Sequence, residues 1–126
     1  MDITPLVKPE LKMIQSYGAG FFRVNGVIFK TPIVVVGETV TLWASGSDPL
    51  ILDDAVRDDV RALVGQVDMV LIGAGAQSRV LPPKQRAMLS AQMGCVIDVM
   101  DTPSACRTYN VLTAEGRRVA AALSLI

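Results

Sequence analysis

The stretch GCVIDVMDTPSACRTYNVLTAEGRRVAAALSLI, residues 94–126, decides how the rest of the chain is read. Val96–Met100 is a mostly apolar run after Gly94, the pattern of a short buried strand. Asp101-Thr102-Pro103 is a helix start. Thr102 as N-cap places Pro103 at the first helical position, where a missing N–H costs nothing, and Asp101 just outside favours the positive end of the helix dipole. Further on, Leu112, Gly116, Val119, Leu123 and Ile126 recur at spacings of four and three, which predicts a core-facing helical stripe that Ala105 and Tyr109 extend towards the start. Thr113 or Gly116 is a place for that helix to break into two at an angle.

Upstream of this stretch, Met69–Ile72 is a continuous apolar run that ends in Gly73-Ala74-Gly75. A short loop with Gln77, Ser78 and Arg79 follows. Pro82-Pro83 then opens a helix that runs to about Met93, and Gly94 ends it. Strand, helix, strand over this length predicts two parallel neighbours joined by a right-handed crossover. Parallel strands end on the same edge of a sheet, and open α/β sheets bind ligands at the carboxyl ends of their strands. Gly73, Gly75, Gln77, Ser78, Arg79, Asp101, Thr102 and Arg107 therefore form one predicted constellation, with Tyr109 and Asn110 above it where the helix leaves the sheet edge.

Each of these residues has a structural and a functional reading. The glycines suit a tight turn at a strand end or a close backbone approach to a ligand or partner. They are no dinucleotide fingerprint, because Ser78 stands where the third glycine belongs and two prolines delay the helix. A phosphate-binding G-x-x-x-x-G-K loop is also missing, so no cofactor is expected. Asp98 sits in an otherwise apolar strand; it pairs with an arginine or lies at the surface, or it forms an acid/base pair with Asp101. Cys106, early in a helix beside Arg107, has the setting of a lowered thiol pKa but no base to activate it, and a buried free thiol is the expectation. No residue is assigned as catalytic. With two cysteines, Cys95 and Cys106, and no histidine, the chain lacks the four N or S ligands of a structural zinc site, and no metal is expected.

The amino-terminal third is β-rich. After an irregular arm over residues 1–12 with Pro5 and Pro9, Met13–Ser16 is a short strand and Tyr17-Gly-Ala-Gly20 a turn. Asn25-Gly26 is the favoured pair for a type I′ hairpin and sets Val24 opposite Val27 and Phe22 opposite Phe29. Thr31-Pro32 ends that hairpin. Ile33–Val36 and Thr39–Trp43, split by Gly37-Glu38, continue a predicted β-meander. Ser45–Pro49 is a loop. From Asp53 the pattern turns helical, with Val56, Val60, Leu63, Val64 and Val67 on one side, Arg57, Asp58 and Arg61 on a solvated one, and Gly65 as a stop.

These elements define an α/β fold: a single three-layer domain over residues 1–126, with a mixed central sheet, an N-terminal β-meander and a C-terminal β-α-β-α unit. The composition agrees, since 51% of the residues are hydrophobic and 19% charged, far from the signature of disorder. The net charge is zero, which gives no attraction to nucleic acid or an anionic membrane and lowers the barrier to self-association. A homo-oligomer or a protein partner is expected. No apolar run approaches the ~18 residues of a membrane span, no signal peptide is visible, and a cytoplasmic location is the expectation.

The run VMDTPSACRTYNVL followed by EGRRVAAAL resembles the C-terminal signature of the mitochondrial complex I assembly factor 3 family and its prokaryotic homologues of unknown function. YGAGFFRVNGVIF, Trp43 after a strand, and LIGAG match earlier landmarks of that family in order, so the resemblance covers roughly residues 14–124. The family carries G-T-G where this chain has Gly73-Ala74-Gly75, and the missing threonine hydroxyl weakens a ligand role for that loop. The resemblance implies a compact three-layer α/β domain, no established catalytic residue, and a role in assembling the membrane-bound respiratory NADH dehydrogenase. Two functions follow as expectations: a non-catalytic binding or assembly protein, or a small-molecule-binding protein or enzyme that uses the crevice at the strand ends.

Overall fold

A computed structural model of the chain describes residues 11–43, 54–77 and 82–126, the side chains of 54–57 and 64 excepted. Residues 1–10 of the predicted arm over 1–12, the Ser45–Pro49 loop, Asp53, Ser78 and Arg79 lie outside the described residues.

Strands β1 (Ile14–Gly18), β2 (Phe21–Val24) and β3 (Val27–Phe29) form an antiparallel three-stranded sheet in that order. Asn25 and Gly26 take φ of 46° and 85°, the two left-handed positions that a type I′ turn requires, and Phe22 faces Phe29 while Val24 faces Val27 as expected. Strands β4 (Ile33–Val36) and β5 (Thr39–Leu42) make a second hairpin, but it joins another sheet. The predicted meander is thus divided: Pro32 cannot extend a ladder, and the chain changes sheets there.

Helix α1 (Asp54–Val64), β6 (Met69–Gly73), α2 (Pro83–Met93), β7 (Val96–Met100), α3 (Thr102–Ala114) and β8 (Val119–Leu123) complete the order. The large sheet has five strands in the order β5-β4-β8-β6-β7. β6 runs parallel to both β7 and β8, and β4 runs antiparallel to β8, so the sheet is mixed. Gly94 ends α2 with a left-handed φ of 68° and donates its N–H to Ser90 O at 2.9 Å.

The helical stripe expected to run through Leu112, Val119 and Leu123 is a correction. α3 stops at Ala114, Gly116 turns the chain at φ 83°, and Val119–Leu123 is the central strand of the large sheet. The β-α-β-α unit is present and continues into this further strand. Both faces of β8 are covered, so it alternates nothing: all five of its residues are buried. Its alanines are small on both faces, with Ala121 on the side where α3 packs on β8 and β6 and Ala120 and Ala122 on the other.

Strict alternation sorts the core into two clusters on either side of the large sheet. Val34, Val70, Ile72, Ile97, Val99, Ala120 and Ala122 face Val60 and Leu63 of α1 and Leu89 and Met93 of α2. Ile33, Val35, Leu71, Val119, Ala121 and Leu123 face Ala105, Cys106 and Tyr109 of α3 and Ile14, Phe22 and Val24 of the small sheet. The result is three layers: two helices, the five-stranded sheet, then α3 with the three-stranded sheet.

Candidate functional site

The parallel strands β6, β7 and β8 end side by side, and the loop Gly73-Ala74-Gly75 leaves their common edge. The N–H of Ala74 donates to Met100 O at 2.8 Å, and that of Ser124 donates to Gly73 O at 3.0 Å. Helix α3 starts beside this loop. Asp101, not Thr102, is its N-cap: Asp101 Oδ1 accepts from the Ser104 N–H at 2.8 Å, and Oδ2 accepts from the Ser104 hydroxyl at 2.9 Å. The Thr102 hydroxyl is bonded to Gly75 and Ser124 instead, and the two Ser104 bonds hold Asp101 below the usual carboxylate range.

Freed from capping, Thr102 is fully buried and bridges three segments. Its N–H donates to Gly75 O at 2.8 Å, and its Oγ1 accepts from the Gly75 N–H at 2.9 Å and donates to Ser124 O at 2.8 Å. The hydroxyl therefore occupies the space between the strand ends. Gly73 explains how it fits. A Cβ there would lie 3.0 Å from Thr102 Oγ1 and 3.1 Å from Thr102 Cα. Gly75, at φ 93°, turns the chain where an L side chain is strained.

The structure thus brings Gly73, Gly75, Asp101 and Thr102 together, with Arg107 one turn further on. Arg107 is exposed; its Nη1 donates to Tyr17 Oη at 2.8 Å and its Nη2 to Ser104 Oγ at 3.4 Å. A surface chain of hydrogen bonds, Tyr17–Arg107–Ser104–Asp101, results. It ties the small sheet to the start of α3.

Tyr109 and Asn110 point to other work. Tyr109 is fully buried and its hydroxyl donates to Lys12 O at 2.7 Å. Burial pushes its phenol up to about 12. Asn110 binds both backbone groups of Ile14. Asp98 lies in the edge strand β7, where Arg86 of α2 faces it at 3.5 Å, the arginine pairing among its sequence alternatives. Gln77 is exposed in the loop beyond Gly75. Cys106 is buried, and burial pushes its thiol up to about 12; Cys95 is buried too, and both are free thiols.

Three residues of this arrangement, the buried Ser124 among them, carry no role in the sequence analysis. Ser104 had a signal, since Asp101-x-x-Ser is a capping pattern. Ser124 and Tyr17 had none: their partners lie 22 and 90 residues away in the chain. A cleft among the described residues lies at the opposite, amino-terminal end of the parallel strands. It encloses about 390 Å³ between Leu11, Val36, Val67, Thr113, Arg117 and Val119.

Comparison with known proteins gives one family and a consistent fold. Residues 14–124 match the model of a protein family of unknown function, DUF498/DUF598. An uncharacterised protein of Rhodobacter capsulatus is 41% identical over 110 residues, covering 87% of this chain and 82% of that protein. NADH dehydrogenase [ubiquinone] 1 alpha subcomplex assembly factor 3 of Homo sapiens is 34% identical over 112 residues, 87% of this chain but 59% of that protein. The chain therefore spans about three fifths of that assembly factor. A crystal structure of a Bordetella parapertussis protein superposes with a TM-score of 0.77 at 32% identity, covering 99% of this chain and all of that one.

Proposed function

The chain belongs to the DUF498/DUF598 family, and from that premise we propose that it is a partner-binding protein with a role in assembling a membrane-bound respiratory complex. The support from relatives is the assembly-factor name carried by several of them, the human protein included. No described helix is long and apolar enough to cross a membrane. In this reading the protein works in the cytoplasm, associates with itself, and meets nascent subunits from outside the bilayer.

The observation that carries the reading is the Tyr17–Arg107–Ser104–Asp101 chain. It leaves an exposed guanidinium held in place by two bonds, so the rotamer entropy that a partner would otherwise have to offset is already spent. Beside it, the crevice at the strand ends is filled by the Thr102 hydroxyl, and the edge presents a surface.

The test is capture of respiratory NADH dehydrogenase subunits from native lysate by the tagged chain, quantified by mass spectrometry against Arg107→Ala. Enrichment by the wild type, reduced several-fold in the variant, is the expected result. Equal recovery of those subunits by wild type, variant and bait-free resin would sink the reading.

A further inference from the structure

The two sheets have four edge strands, and three of them are blunted by an identifiable device. On β1, the Asn110 amide takes both the N–H and the C=O of Ile14. On β7, Ser90 Oγ accepts the Ile97 N–H at 3.1 Å, and the Arg86–Asp98 pair places charge across the edge. β3 is three residues long and followed by exposed Lys30.

Among the described residues, β5 has none of these devices. Thr39-Val40-Thr41-Leu42 holds no charge and no proline, and it pairs with β4 without a register shift. The Trp43 N–H donates to Pro32 O at 2.9 Å, and Thr41 faces Val34. Hydrogen-bonded residues alternate along an antiparallel ladder, so the N–H and C=O of Val40 and Leu42 face away from β4. No described residue takes them. Leu42, on the same strand face as Val40, is 68% exposed, the most open of the large hydrophobic side chains among the described residues.

We propose that β5 is a self-pairing edge: two copies of this chain join antiparallel through β5, with Thr41 opposite Thr41 at a two-fold axis, into one ten-stranded sheet. This rests on the self-association in the reading above and assigns it a surface. The register is self-complementary. Val40 of each copy exchanges both backbone bonds with Leu42 of the other, which gives four hydrogen bonds and two apolar Val–Leu pairs. The threonines meet as a non-hydrogen-bonded pair, where side chains come closest. Charge along the strand also permits it: the chain is neutral, and the nearest charged residue in sequence, Glu38, is three positions from the axis in each copy, at opposite ends of the interface.

The experiment is a charge swap at the axis, read by sedimentation equilibrium of the purified chain across a concentration series. Thr41 is exposed, so T41K and T41E keep the fold, checked by circular dichroism. Wild type is expected to reach twice the 13.5 kDa of one chain. T41K and T41E alone, each opposing like charges, are expected to remain at single-chain mass at the same concentrations. Their equimolar mixture is expected to return to the doubled mass. A doubled mass that persists in T41K and T41E would place self-association elsewhere and overturn this edge. A wild type of single-chain mass up to its solubility limit would overturn the edge and the self-association together. If that monomer loses its respiratory subunits in T41K, the β5 edge belongs to a foreign strand and the two-fold pairing falls.

Discussion

The side-chain amide of Asn110 grips the backbone of Ile14 with both of its ends. Nδ2 donates to Ile14 O at 2.7 Å, and Oδ1 accepts from the Ile14 N–H at 2.9 Å, across 96 residues of chain. An amide is the side chain that offers one donor and one acceptor at the spacing of a backbone unit. The contact docks the three-stranded sheet on α3 and caps a strand edge. Tyr109, the residue before it, adds a single hydroxyl bond to Lys12 O.

Replacing Asn110 by Ala leaves two partly buried backbone groups unpaired, and a cost of about 1–3 kcal/mol is expected. Asn110→Asp should cost at least as much, because a carboxylate then faces the Ile14 carbonyl. Urea denaturation measures the loss. A native hydrogen-exchange difference confined to residues 11–29 would show that the small sheet loosens first. A loss below a few tenths of a kcal/mol in both variants would show that the clamp adds nothing.

Thr102 offers a cleaner separation of hydroxyl from methyl. Thr102→Val keeps the shape but leaves the Gly75 N–H and Ser124 C=O without the hydroxyl, at an expected cost of about 1–3 kcal/mol. Thr102→Ser keeps both bonds and should cost less. Gly73→Ala pushes a methyl against Thr102 and Leu123 and is expected to lose about 1–3 kcal/mol by overpacking. Thermal midpoints order the three variants; a Ser variant weaker than the Val variant would contradict the bridging role of the hydroxyl.

Asp101 and Asp98 should behave differently although only three positions separate them, Asp98 within β7 and Asp101 just past its end. Asp101→Ala removes an N-cap with two bonds and is expected to cost about 0.5–2 kcal/mol. Asp98→Ala breaks a 3.5 Å surface pair and is expected to cost about 0–1 kcal/mol. Asp101 is held below its ordinary value, so its contribution is present above the unfolded value and fades as pH falls. Equal losses in the two variants at neutral pH would remove the distinction.

Local chemistry made much of the fold legible. Asn25-Gly26 gave the hairpin with its register, Pro82-Pro83 and Gly94 bounded α2, and two apolar runs gave the parallel pair β6 and β7. β8 was missed because Val-Ala-Ala-Ala-Leu fits a helix as well as a strand, and a strand covered on both faces shows no alternation. The available signal was Gly116, then two arginines, then five apolar residues in a row. The site was legible in its placement, since parallel strands share an edge. Its bonds were not: Asn110 to Ile14, Arg107 to Tyr17 and Thr102 to Ser124 are set by how layers stack, which no local pattern records.

Alkaline pH should expose the buried thiol and phenol. Burial pushes Cys106 from an ordinary 9.0 to about 12, and Tyr109 from 10.0 to about 12. Both groups stay protonated in the folded chain while the unfolded chain ionises. Their contribution is therefore full below pH 9 and is lost as pH rises towards 12. At pH 10 the Cys106 thiol alone should remove on the order of 1 kcal/mol relative to pH 7, with Tyr109 adding its own loss at higher pH. Urea midpoints at pH 7, 9 and 10 measure this. Cys106→Ala should start less stable at pH 7, because it leaves a small cavity, yet lose less between pH 9 and 10. Cys95, also raised by burial, keeps some slope in that variant. If the Ala variant and the wild type lose stability in parallel across this range, the alkaline sensitivity belongs to groups other than the Cys106 thiol.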